Sequence, residues 1–271
     1  MRYLAVRALI LALSLVLAPS TAAGADLECT FADEVVRYHD SDFSSVVVDT
    51  RWRLSRDYVP ADLVETRRSG LIGGRVREIV IDDLSALASA ARADGSPIAI
   101  QSAYRSFGKQ ASTFSAWVRK IGLARATKTS ARAGHSEHQL GTAIDFKARG
   151  GAPPWKVSGW GRSETARWLA RNAWRYGFVL SYPDGTIKTT CYDFEPWHYR
   201  YVGRDVAAQM HDSGKPPRIW LLTHDGPDPT PTPSPTPSPS PTPSNSPTPA
   251  PTEPPTAAPT ASPEATATEA T

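Results

Sequence analysis

The chain has 271 residues, 40% of them hydrophobic and 21% charged, with 30 basic and 27 acidic side chains and two cysteines. Setting aside two arginines near its start and five acids near its end leaves 28 basic against 22 acidic residues, a surplus that suits a polyanionic cell wall or membrane surface. The basic residues are dispersed, which argues against a nucleic-acid partner, and no segment after the N-terminal leader is long and apolar enough to span a bilayer.

The leader occupies residues 1–25. Arg2 and Arg7 precede a short apolar run, and Ala23-Gly24-Ala25 offers a small-residue cleavage point before Asp26, the pattern of a secretory signal peptide. Its apolar run is too short for a membrane anchor, and Asp26-Leu27-Glu28 before Cys29 lacks the small residues of a lipoprotein site. A secreted or extracytoplasmic, cell-wall-associated protein follows as the expectation.

Residues 26–224, roughly 200 in number, suit one domain with its own core. Residues 46–54 alternate apolar and polar and predict a strand. Asp82 or Asp83 can cap a helix with Leu84, Leu87, Ala88 and Ala91 on its apolar face, ending near Gly95. Residues 97–102 predict a strand. Ser106 opens a second helix carrying Phe114, Trp117, Val118 and Ile121, which stops near Gly122. In the strand expected at 141–147, Ala143 and Asp145 share one face and Ile144 and Phe146 the other. Ser163 caps a third helix over 164–176, with Gly177 at its end. Strands over 178–182 and 198–202 and a short final helix over 203–210 complete the domain. The pattern predicts an α+β fold, a small, mostly antiparallel sheet flanked by helices. From 225 to 271 the chain is Pro, Thr, Ser and Ala, a composition expected to stay disordered and able to act as an extended spacer.

Cys29 and Cys191 are expected to form a disulfide in an oxidising compartment, steadying the segment before Glu195. The chemistry concentrates in Ser136-Glu137-His138-Gln139-Leu140-Gly141-Thr142-Ala143-Ile144-Asp145 and in Glu195-Pro196-Trp197-His198. His138, Asp145 and His198 make a donor set suited to one Zn²⁺ per chain with a position left open, and His135 is the rival to His138. Gly141 lets a loop carrying His138 turn into a strand carrying Asp145. Glu195 is the candidate general base. An ideal strand would point 195 and 198 to opposite faces, so Pro196 must mark a bulge or a strand entrance for them to converge.

These motifs, with Ser102-Ala103-Tyr104-Arg105-Ser106, Gly134-His135 and Tyr199-Arg200, resemble the VanY-type D-alanyl-D-alanine carboxypeptidases. These belong to a wider zinc peptidase group that includes D-Ala-D-Ala dipeptidases and the hedgehog signalling domain. The resemblance implies a hedgehog/D-Ala-D-Ala peptidase-like fold, zinc on His138, Asp145 and His198, and Glu195 as base; it favours His138 over His135. It also implies that Arg105 stabilises the oxyanion. Ser136 and Gln110 are candidates for holding the substrate, and Tyr104 and Trp197 for the wall of the cleft.

The expected activity is removal of the terminal D-Ala from peptidoglycan stem peptides by a monomer with no nucleic-acid partner and no lasting membrane insertion. The alternatives are an L,D-carboxypeptidase or an endopeptidase of the same group. An alternative of another class is a non-catalytic zinc-stabilised cell-wall binding module, against which Glu195 and Arg105 speak, since a binder needs neither.

Overall fold

The computed structural model describes residues 29–224; the leader expected over 1–25 and the tail expected over 225–271 lie outside them. In chain order the described residues form β1 (Glu34–Val35), β2 (Trp52–Arg53), β3 (Leu63–Glu65), β4 (Arg75–Arg77), α1 (Ile81–Ala93), β5 (Ile98–Ser102), α2 (Phe107–Ile121) and α3 (Leu123–Thr129). There follow β6 (Ala143–Ala148), α4 (Glu164–Asn172), β7 (Phe178–Leu180), α5 (Ile187–Thr190), β8 (His198–Tyr201), α6 (Arg204–Ser213) and α7 (Pro217–His224). The central sheet has the order β5-β6-β8-β7 and is antiparallel throughout. The fold is α+β, as the pattern predicts.

Strand alternation divides the sheet's two faces by function. Ile144 and Phe146 of β6 and Tyr199 and Tyr201 of β8 pack with Leu84, Leu87 and Ala91 of α1 and Leu169 of α4 in the main core. The alternate residues, Asp145 on β6 and His198 and Arg200 on β8, therefore face the other way. Leu87 and Leu169 are both 0% exposed, and truncating either to Ala would cost about 2–5 kcal/mol.

The expected caps form: Ser106 Oγ accepts from the Lys109 amide at 3.3 Å and Ser163 Oγ from that of Ala166 at 3.2 Å. After α4 the chain runs through a 3₁₀ turn to Gly177 at φ 82. A Cβ there would sit 2.6 Å from the Tyr201 ring, so the stop depends on glycine.

Four expectations are corrected. The strand over 46–54 shrinks to β2, because Val46, Val47 and Val48 are all buried rather than alternating. The Asp49 carboxylate then accepts from the amides of Arg51 and Trp52 at 2.8 and 3.0 Å, which closes a turn. Helix α1 starts at Ile81 without a side-chain cap; Asp83 instead accepts from the Tyr201 hydroxyl and Arg204 Nε, both at 2.7 Å. A further helix, α7, follows α6, and the two close a second core around Val47, Trp52, Met210, Trp220 and Leu221. In α2, Phe114, Trp117, Val118 and Ile121 are only half-buried, and the fully buried residue is Gln110.

Cys29 and Cys191 are joined by a disulfide, their Cα atoms 5.3 Å apart. Cys191 ends α5 in the left-handed region at φ 71. The bond ties the N-terminal segment to the approach to β8.

Candidate active site

The register of the sheet places Asp145 directly opposite His198 across β6 and β8. His138 reaches them from a 3₁₀ turn, Glu137–Leu140, that ends at Gly141 with φ 75. An added Cβ at Gly141 would lie 2.9 Å from Arg77, so the turn suits glycine alone. The His138 carbonyl accepts from the amides of Gly141 and Arg105, each at 3.2 Å, which fixes the turn beside β5. His138, Asp145 and His198 are buried, and their donor atoms lie within 4.8 Å of one another. His135 is elsewhere: Nδ1 is 2.6 Å from the Asp49 carbonyl and Nε2 2.9 Å from Asp33. It anchors the N-terminal segment.

The trio fits a metal ion on its own chemistry. His138 Nδ1 lies 2.7 Å from the Ala103 carbonyl, which assigns it the proton and leaves a lone pair on Nε2. That buried Nε2 has no hydrogen-bond partner, although Asp145 Oδ1 is 3.3 Å away, so its lone pair is available to a metal ion. His198 Nδ1 lies 3.0 Å from Asp145 Oδ1 and its Nε2 2.9 Å from Glu137 Oε2. Glu137 also accepts from Ser181 Oγ at 2.6 Å and Arg200 Nη1 at 3.2 Å. Each imidazole thus has one nitrogen for the centre and one held by an outer partner, the arrangement that orients metal-ligating histidines. Two nitrogens and a carboxylate suit zinc.

Electrostatics follow the same plan. Burial opposes charge on His198, but Asp145 and Glu137 overcome it and push the ring up to about 10. Burial likewise opposes the charge on Glu137, yet His198 and Arg200 hold it down to about 2. His138 is lowered to about 4, by burial first and by the Arg105 charge second.

Glu195, Pro196, Trp197 and His198 form a turn closed by the His198 amide donating to the Glu195 carbonyl at 2.9 Å, with proline in its favoured second place. Glu195 therefore precedes β8 and escapes the strand's alternation. Glu195, Arg105, Ser136 and Trp197 all line one cleft of about 170 Å³ with the His–Asp–His trio. Burial pushes the Glu195 carboxyl up to about 8 against the pull of His198. Arg105 Nη1 donates to Ser102 Oγ at 2.8 Å and to Asp145 Oδ2 at 3.3 Å, and its Nε donates to Gln110 Oε1 at 2.8 Å.

Two expected substrate contacts lie elsewhere. Gln110 sits behind Arg105, its amide donating to the Ala131 carbonyl at 2.6 Å. Tyr104 is also outside the cleft lining; its hydroxyl is buried without a partner and the Arg75 guanidinium lies 5.6 Å over its ring. Sequence reasoning assigned no role to Glu137 or Arg200, nor to Tyr182, whose ring stacks on His198 at 4.9 Å. The available signal was the need of each ligand imidazole for a second partner, with Glu137 the carboxylate beside His138 in the motif.

A small antiparallel sheet presenting a buried His–Asp–His trio, with a carboxylate and an arginine in the same cleft, defines a metallopeptidase class. The chain belongs to the VanY family, whose model, D-alanyl-D-alanine carboxypeptidase, matches residues 73–204. It is 35% identical over 151 residues to a D-alanyl-D-alanine carboxypeptidase of Enterococcus faecalis, covering 52% of this chain and 54% of that one. The LdcB LD-carboxypeptidase is similar in structure, with a TM-score of 0.60, 26% identity and coverage of 70% of this chain and 94% of that one. So is a variant of a vancomycin-resistance D,D-pentapeptidase VanY in complex with Zn(II), with a TM-score of 0.56, 31% identity and coverage of 66% and 99%. The chain spans 53% to 63% of the length of the curated relatives it matches.

Proposed function

We propose that the chain is an exported zinc-dependent D-alanyl-D-alanine carboxypeptidase that removes the terminal D-Ala from peptidoglycan stem peptides. The observation that carries this reading is the convergence of the unpartnered His138 Nε2 with Asp145 and His198 beside Glu195 in one cleft. His138, Asp145 and His198 would hold the ion, which when bound polarises the scissile carbonyl and acidifies the attacking water. Glu195 takes the proton of that water and delivers it to the leaving amine. Arg105, oriented by Ser102 and Gln110, offers a fixed positive charge to the oxygen of the carbonyl as it becomes negative. Ser136 lines the cleft where the substrate's terminal carboxylate would lie, and Trp197 supplies an apolar wall.

Export rests on the leader pattern and accords with the Cys29–Cys191 bond. Among the described residues no helix is long and apolar enough to cross a membrane. Residues 26–224 would be the catalytic unit and 225–271 a spacer within the wall. A second reading, L,D-carboxypeptidase, draws support from the likeness to LdcB.

Mass analysis of products from a muropeptide pentapeptide, a tetrapeptide and a cross-linked dimer separates the readings. The proposal expects D-Ala from the pentapeptide alone, lost with a chelator and restored by Zn²⁺. Release of D-Ala from the tetrapeptide alone would move the assignment to L,D-carboxypeptidase, and an internal cut would move it to endopeptidase.

A further inference from the structure

The 15 residues of α2 bury only Gln110 fully, although a helix with Phe114, Trp117 and Val118 on one side ordinarily buries that stripe. Its free flank walls a groove of about 440 Å³, closed opposite by Trp155 and Lys156. Thr113, Trp117 and Trp155 line both this groove and the catalytic cleft, so the two are continuous. Trp155 is 43% exposed. Pro153 and Pro154 stiffen the loop that carries it, and its ring meets that of Trp197 edge-on at 6.2 Å. An aromatic path thus leads from the turn holding Glu195 and His198 into the groove.

The charge of the groove has one sign. Lys109, Lys120 and Lys156 line it, and no carboxylate does. All three lysines are exposed. Lys120 Nζ lies 5.1 Å over the Trp117 ring, and among the described residues none of the three has a carboxylate partner. Lysines with no task beyond solubility scatter over a surface; here three unpaired ammonium groups share one concavity with two tryptophans.

We propose that this groove binds the part of the stem peptide upstream of the scissile amide and selects stems whose residues carry free carboxylates over amidated ones. The inference rests on the carboxypeptidase reading and deepens it. The tryptophans cover the apolar stretches of the peptide, and the ammonium groups supply the counter-charge that the protein itself withholds. Exposed ion pairs are individually weak, each worth about 0.2–1 kcal/mol. Three such pairs, each at the weak end of that range because all three ammonium groups are exposed, would give a preference of about three- to tenfold, weakening with salt.

The test compares pentapeptides ending in D-Ala-D-Ala that differ only in free or amidated stem carboxylates. Wild-type protein is expected to show a KM about three- to tenfold lower for the free acid, with kcat unchanged and the difference shrinking as salt is raised. The triple variant Lys109→Gln/Lys120→Gln/Lys156→Gln is expected to treat both peptides alike. Equal KM values in the wild type, or a preference retained by the triple variant, would overturn the proposal. A blocked tripeptide ending in D-Ala-D-Ala, too short to fill the groove, is the control. If wild-type protein cleaves neither it nor the pentapeptides, the carboxypeptidase reading fails. If it cleaves all of them without discrimination, only the groove assignment fails.

Discussion

On the sheet side of the cleft, Glu137, His138, Asp145, His198 and Arg200 are each no more than 7% exposed, and the two imidazoles are gripped by outer partners at 2.7–2.9 Å. On the helical side, α2 buries Gln110 outright and leaves Trp117 half-exposed and Lys109 and Lys120 exposed. The first wall is a tightly hydrogen-bonded network in which His138 Nε2 and Arg200 Nε are left without a partner, and loss of one member strands another in a low-dielectric interior. The second is an open surface whose residues can change singly at little cost to the fold. Chemistry that needs fixed distances is placed on the former, and contact with a long, variable substrate falls to the latter.

Glu137 tests the closed wall most severely. Glu137→Gln keeps the shape but removes the charge facing both His198 and Arg200. Zinc affinity should fall about 10–100-fold, measured by competition with a chromophoric chelator. The same titration carries a pH signature. In the metal-free wild type the carboxylates hold His198 protonated up to about 10, and zinc needs the neutral ring. Binding must therefore displace a proton, and affinity should rise about tenfold per pH unit below that value. In Glu137→Gln the ring loses one stabilising carboxylate, so the rise should level off at lower pH. An unchanged affinity and slope would dissolve the network argument.

Gln110 joins the two walls, since the one fully buried residue of α2 is the partner of Arg105 Nε. Gln110→Ala should lower kcat about tenfold through a misplaced guanidinium while leaving metal content intact. Gln110→Glu, which keeps an acceptor for Arg105, should recover part of the loss. A defect confined to stability, with kcat unaltered, would reduce Gln110 to a packing residue.

The contrast between the walls also explains what the sequence made legible. The trio was readable because His138, Gly141 and Asp145 fall within eight residues and because alternation along one strand puts Ile144 and Phe146 into the core and Asp145 opposite. Caps at Ser106 and Ser163 are local and were equally visible. Glu137 and Arg200 meet across 63 positions, and no local pattern announces such a pairing. Residues 46–48 looked like a strand because valines favour one; Val46 and Val48 are buried in one cluster and Val47 in another, and the Asp49 carboxylate closes the turn that ends the run. Gln110 was a candidate for holding the substrate, and only the folded helix turns it inward. The convergence of Glu195 with His198 depended on Pro196 opening a turn rather than a bulge, a choice that φ restriction alone does not make.

The central claim is that the sheet-side trio holds the metal while Glu195 moves the proton, and one variant separates the two. Glu195→Gln, titrated with Zn²⁺ and assayed on a pentapeptide ending in D-Ala-D-Ala, should bind one zinc per chain with wild-type affinity yet lose at least about a thousandfold in kcat. Near-wild-type turnover in a zinc-loaded Glu195→Gln protein would contradict the account.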